Sequence, residues 1–157
     1  MPAETDSPTT GTVFTVDLEF RWSDQDLNGH VNNARAITQM EEARIRATTA
    51  WLGTAFSRPG VTSLRVVRAL DAVFDREMSY GPVTGRVWIS RIGRTSYTVG
   101  HELHQGGRRC AHGEAVIVVL DPTTRLPTPV TDDMRECLSQ ALVTDSQNDH
   151  TTGEDHP

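Results

Sequence analysis

No lysine occurs among the 157 residues; all 15 basic side chains are arginine, set against 21 acids for a net charge of −6. Without lysine there is neither a Walker-type phosphate loop nor Schiff-base chemistry, both of which need its amine. The patterns G-x-S-x-G and G-x-G-x-x-G are also missing, which removes the nucleophile elbow of serine hydrolases and the dinucleotide fingerprint. No apolar run approaches the ~20 residues that span a bilayer. The acidic balance argues against a surface built for nucleic acid or anionic membrane. Cysteine is scarce, and Cys110 and Cys137 are too few for a disulfide framework. The opening stretch MPAETDSPTTG has neither a cationic start nor an apolar core, so no secretory signal is expected there. These absences lead us to expect a cytoplasmic protein with no nucleic-acid or membrane partner.

What is present reads as one α+β domain over residues 12–143, between polar tails at 1–11 and 144–157. The pattern is one strand, one long helix, four more strands and a short closing helix. Phe14, Val16, Leu18, Phe20 and Trp22 alternate with mostly polar residues, which gives a first strand with one apolar face. A helix is expected from about Ala34 to Leu52, stopped by Gly53. Its stripe Ala36, Met40, Ala43, Ala47 and Ala50 is mostly small, so a sheet can approach the axis closely. Glu42 and Arg46, four apart, read as a solvated pair on the helix surface. After residue 61 the strands are long. Leu70, Ala72, Phe74, Met78 and Tyr80 keep a period of two, and Gly81-Pro82 is expected to end that run. Residues 84–92 and 95–105 give two further strands around a turn at Gly93-Arg94. Gly106-Gly107 marks a hairpin before a final strand, Ala111 to Leu120, apolar on both faces and therefore central. Thr131 caps a short helix with Asp132 and Asp133 in its first turn. One helix cannot cover both faces of such a sheet, so a symmetric dimer is expected.

Within RWSDQDLNGHVNNARAITQMEEAR (21–44), Asp26, Asn28 and His30 sit in a Gly-containing bend just before the helix. Asn32 and Asn33 then stand at its N-terminus, where unpaired N–H groups and a positive dipole end favour developing negative charge. Asp26 offers a base or a carboxylate nucleophile. The same residue types are also what turns and N-caps prefer, which accounts well for Asn28-Gly29 and the asparagine pair. It accounts less well for the acids and amide of S-D-Q-D followed by His30.

The run D-Q-D-L-N-G-H-V-N-N before a helix carrying M-E-E-A-R resembles the hotdog-fold acyl thioesterases. It is similar to the 4-hydroxybenzoyl-CoA thioesterase-like group, and D-L-N-G-H-V-N-N to plant acyl-ACP thioesterases. The resemblance extends through S-Y-G (79–81), R-I-G-R-T-S (91–96) and the late A-V-I-V-V-L-D strand, about residues 12–140. It implies a curved, mostly antiparallel five-stranded sheet wrapped around one long helix, and a homodimer or homotetramer with its site between subunits. It implies an acyl-CoA substrate, release of free acid and coenzyme A, and no metal or redox cofactor. Asp26 matches the family's catalytic aspartate, while Asn28 and His30 match the asparagine and histidine of the plant-type site. Glu77, in F-D-R-E-M, stands where those enzymes have a further acidic residue, though a solvated strand glutamate fits it too. Asn32 and Asn33 fall at the oxyanion-binding helix start. Arg94 and Ser96 fall in a stretch tied to substrate binding, with Arg94 where relatives place basic residues near the coenzyme A phosphates, though an exposed turn arginine fits that position equally well. One departure concerns the acyl pocket: the family's aromatic three residues beyond the second asparagine is here Ala36. A hydratase on the same fold, an acyl-binding module and an acyl-ACP thioesterase are the rival readings.

H-E-L-H-Q-G-G-R-R-C-A-H (101–112) also holds zinc-ligand types. A hairpin at Gly106-Gly107 is expected to set His101 opposite His112 with Cys110 on the same face and His104 on the other. Cross-strand histidines beside Leu103 are more simply structural, and no metal is assigned. Trp51 and Trp88 read as core or interface aromatics.

Overall fold

The computed structural model describes residues 11–53 and 63–144. The expected tails lie outside them apart from Gly11 and Thr144.

β1 (Phe14–Phe20) leads through a single 3-10 turn (Trp22–Asp24) into α1 (Asn33–Leu52). Then come β2 (Leu64–Leu70), the two-residue β3 (Val73–Phe74), β4 (Gly81–Ile92), β5 (Ser96–Gln105), β6 (Arg108–Leu120) and α2 (Asp132–Ser139). All strand pairs are antiparallel, in the order β1-β4-β5-β6-β2, with β3 also on β6. The curved sheet around one long helix is the hotdog arrangement, and β6 is central as its two apolar faces require.

α1 begins where an asparagine can cap it: the Asn32 side chain accepts from the Ala34 N–H at 2.8 Å. It ends at Gly53, whose φ of +67° few other residues adopt. Its small-residue stripe has the expected use. Ala36, Met40, Ala43 and Ala47 are buried, and a Cβ placed on Gly85 of β4 would sit 2.9 Å from the Ala43 Cβ. Sheet and helix therefore meet at the limit of contact, and any residue larger than glycine at 85 would push them apart. Met40, Phe20, Ile89, Val99, Leu103 and Leu138 are fully buried around this contact. Truncating such a side chain to alanine costs about 2–5 kcal/mol. Thr131 caps α2 through the Met134 N–H at 3.2 Å, and Glu42 and Arg46 pair at 2.7 Å. Trp51 packs edge-on against Phe14, with ring centroids 6.4 Å apart.

Four local expectations are corrected. Trp22 is not on the apolar face of β1; the 3-10 turn rotates it out of the strand and leaves it 74% exposed. The stripe on α1 stops short of Ala50, which is exposed. Leu70 to Tyr80 is not one strand. Arg68 bulges out of the β2–β6 register, pairing stops after Leu70 and returns only over Val73–Phe74, and Gly81-Pro82 opens β4 instead of closing the strand before it. Finally, Cys110 is an extra residue between Leu103↔Ala111 and His104↔Arg109. That bulge slips the register by one, so His101 opposes Gly113 and His112 opposes Glu102, on opposite faces of the sheet.

Candidate active site

The bend between β1 and α1 is closed by its own backbone. Gln25 and Val31 face each other as an antiparallel bridge, Asp26 N donates to His30 O at 2.8 Å, and Asn32 N to Asp24 O at 2.9 Å. Gly29, at φ +77°, makes the reversal and donates to Asp26 O at 3.1 Å. Asp26 helps to build this loop, since its Oδ1 accepts the Asn28 N–H at 2.8 Å in an Asx turn. Its Oδ2 has no donor among the described residues. The turn thus fixes the carboxylate and leaves one oxygen for other work.

A second segment forms the opposite wall. Met78 O accepts the Val31 N–H at 2.7 Å, and next to this tie Glu77 Oε2 lies 3.0 Å from His30 Nε2. Asp26, Asn28, His30 and Asn33 face residues 74–78 across a cavity of about 300 Å³. The two asparagines at the helix start have different uses. Asn32 consumes the Ala34 donor as a cap, whereas the Asn33 N–H has no acceptor among the described residues and sits at the positive end of the helix. Asp26 and Asn28 are exposed in the single chain and His30 is partly buried. A fixed carboxylate, an imidazole held by a second carboxylate and one free helix N–H are groups suited to acyl transfer.

The structure therefore brings together Asp26, Asn28, His30, Glu77 and Asn33. It keeps Arg94 and Ser96 apart from them. Gly81 pairs with Phe20 at the near end of β4, while Ile92 pairs with Tyr97 at the far end, roughly 36 Å away along the strand. Arg94 is exposed on the far turn and Ser96 partly buried. The sequence reading missed Phe74, Asp75 and Arg76, which also border the cavity. The signal available was F-D-R-E-M, where charges replace alternation and argue against a continuing strand.

A different polar group lies beneath α1. Arg44, Arg65 and Tyr97 border a groove of about 240 Å³. Burial lowers the pKa of both arginines and raises that of Tyr97, which is hydrogen-bonded to Arg65. His101 is fully buried with no hydrogen-bond partner at either nitrogen among the described residues. Burial, and then the Arg44 charge, pull its pKa down to about 4, so it is neutral near pH 7. His112 instead meets Asp75, and His104 meets Glu102. Among the described residues no three metal-ligating side chains converge.

The family model described as the thioesterase-like superfamily matches residues 20–138. No curated protein matches the chain. Among solved structures, a predicted thioesterase from Bacillus stearothermophilus is 30% identical with a TM-score of 0.77, covering 85% of this chain and 99% of its own. A thioesterase from Thermus thermophilus, complexed with coenzyme A and Zn, is 29% identical with a TM-score of 0.67, over 79% of this chain and 95% of its own. The DHNA-CoA thioesterase of Staphylococcus aureus is 16% identical and shares the fold, with a TM-score of 0.73 over 82% of this chain and 89% of its own.

Proposed function

The chain belongs to the thioesterase-like superfamily and is a thioester hydrolase, and from that premise we propose that it cleaves acyl-CoA at the Asp26 cavity. The observation that carries this reading is the Asp26 carboxylate, pinned through Oδ1 and, among the described residues, free at Oδ2 and accompanied by an unpaired N–H at the start of α1. Coenzyme A in the Thermus relative supports the choice of thiol.

In the reaction Asp26 takes a proton from water as the water oxygen adds to the thioester carbonyl. The oxyanion that forms is held by the Asn33 N–H and the helix dipole. Collapse breaks the C–S bond, and the departing thiolate takes the proton back from the Asp26 carboxyl. In the nucleophilic variant of this scheme, Oδ2 adds to the carbonyl directly and the thiolate is expelled; water then cleaves the anhydride to free acid and the Asp26 carboxylate, and the proton released goes to the thiolate. Asn28 and His30 orient the water, and Glu77 holds the imidazole of His30.

The same reading calls for a second copy of the chain, with a homodimer as the minimal unit and a homotetramer as a pair of such dimers. The β2–β3 edge exposes Val66, Val67, Leu70, Val73 and Phe74, an apolar surface along backbone groups unpaired among the described residues. Antiparallel pairing of two such edges about a twofold axis would extend the sheet and cover the exposed Asp26. It would also bring the partner subunit's Arg94 and Ser96 to the Asp26 end, because the Leu64 end of β2 lies beside Ser96 through β6. That resolves the separation seen in one chain, and gives the coenzyme A phosphates a cation. We assign the protein to the cytoplasm; no helix among the described residues is long and apolar enough to cross a membrane.

A screen of thiol release over short, long, branched and aromatic acyl-CoAs tests the reading, with an acyl-carrier-protein thioester and an enoyl-CoA alongside. Thiol release from acyl-CoA is expected. Loss of enoyl absorbance without thiol release would point to a hydratase, and saturable binding without turnover to an acyl-binding module. Cleavage of the carrier-protein thioester alone would reassign the substrate.

A further inference from the structure

Residues 75–79 carry Glu77 between β3 and β4 with neither helix nor strand to hold them. The pairing with His30 does not hold them either. The Glu77 side chain is 74% exposed, and a contact so open to solvent holds little in place. The position of Glu77 must come from what pins the strap on each side of it.

On one side the pin is the bulge in β6. The Cys110 carbonyl, released from the β5 ladder by that extra residue, accepts both Asp75 N at 2.8 Å and Arg76 N at 3.1 Å. The Asp75 carboxylate then takes His112 Nδ1 at 2.9 Å and Arg109 Nε at 3.3 Å. Arg109 is itself joined to Glu102, which also meets His104 and Arg86, so this anchor is tied across the outer face of the sheet. On the other side the Gln105 amide acts like a strand partner. Its Oε1 accepts Ser79 N at 2.9 Å, while its Nε2 donates to Ser79 O at 2.8 Å and Pro82 O at 3.1 Å. Glu77 lies midway between the two anchors, beside the Val31–Met78 tie to the bend.

We propose that Asp75 and Gln105 are positioning residues, which set Glu77 against His30 by clamping the strap to the β5–β6 hairpin. The proposal rests on the reading of the Asp26 cavity as the reacting site. Substrate contact by Asp75, which borders that cavity, would give a different kinetic pattern.

The test is steady-state thiol release from an acyl-CoA that the parent cleaves, for Asp75→Asn and Gln105→Ala, each alone and combined with Glu77→Gln. Each single variant is expected to lower kcat by ~10-fold with KM within about two-fold, and to add little once Glu77→Gln is present. His112→Gln removes only one of the two Asp75 contacts and is expected to give a smaller kcat loss of the same kind; it serves if Asp75→Asn does not fold. Losses that multiply with Glu77→Gln, or that appear in KM, overturn the proposal, as does a Glu77→Gln enzyme with parental kcat. Parental turnover by Asp26→Asn would instead sink the reading of the site, so the two failures are told apart.

Discussion

At the β1–α1 end of the sheet, backbone bonds hold the loop and leave side chains facing a cavity; at the β4–β5 end, the turn is consumed as scaffold. The carbonyls of Gly93, Arg94, Thr95 and Ser96 accept from Arg135, Val130, Val119 and Gly93 respectively. That turn clamps α2 and the proline-rich connection to the sheet, and leaves the Arg94 side chain exposed. The bend instead folds on itself through Asp26, Gly29 and His30, and so can present Asp26, His30 and Asn33 together. Both ends are polar and rich in turn formers. What separates them is whether the backbone is satisfied within the loop or by the rest of the fold.

The ends can be set against each other experimentally. After the Asp26 carboxylate itself, the largest effect belongs to the buried stretch between them, where stability and not catalysis is expected to respond. His101 has its pKa depressed to about 4, so between pH 6.5 and 4 the unfolded chain binds the proton and the folded one does not. Stability is therefore complete above pH 6.5 and falls as pH drops toward 4, by on the order of 3 kcal/mol. Denaturant midpoints at pH 4.5, 5.5 and 7.5 check this, and His101→Leu is expected to flatten the slope. Next, His30→Ala is expected to lower kcat ~10-fold or somewhat more without loss of the fold. Asn32→Ala removes the cap of α1 and is expected to cost ~1 kcal/mol, read as a drop in Tm. Smallest is Arg94→Ala, with kcat kept and KM for acyl-CoA raised a few-fold, about 1 kcal/mol or less. A kcat loss at Arg94 equal to that at His30 would erase the distinction between the ends.

What could be read from the sequence was what local pattern dictates. Asn32 and Gly53 bound α1, Thr131 starts α2, Gly106-Gly107 turns the last hairpin, and the alternation of β1 holds from Phe14 to Phe20. The Asp26–Asn28–His30 bend was legible because all three lie within five residues of one another. Glu77 could be suspected but not placed, since its distance to His30 depends on a strap pinned to β6. The bulges at Arg68 and Cys110 were invisible for a related reason. A bulge is a relation between two strands, and a one-residue slip sent His101 and His112 to opposite faces despite regular alternation within each strand. Arg94 came from resemblance alone, and its distance from Asp26 within one chain was invisible because nothing in the local pattern measures the length of β4.

The most direct measurement is the kcat for thiol release by Asp26→Asn, on an acyl-CoA that the parent cleaves well, with Tm followed alongside. A loss of at least ~10²-fold with the fold intact is the predicted result. Turnover within a few-fold of the parent would contradict the assignment of the reaction to this carboxylate.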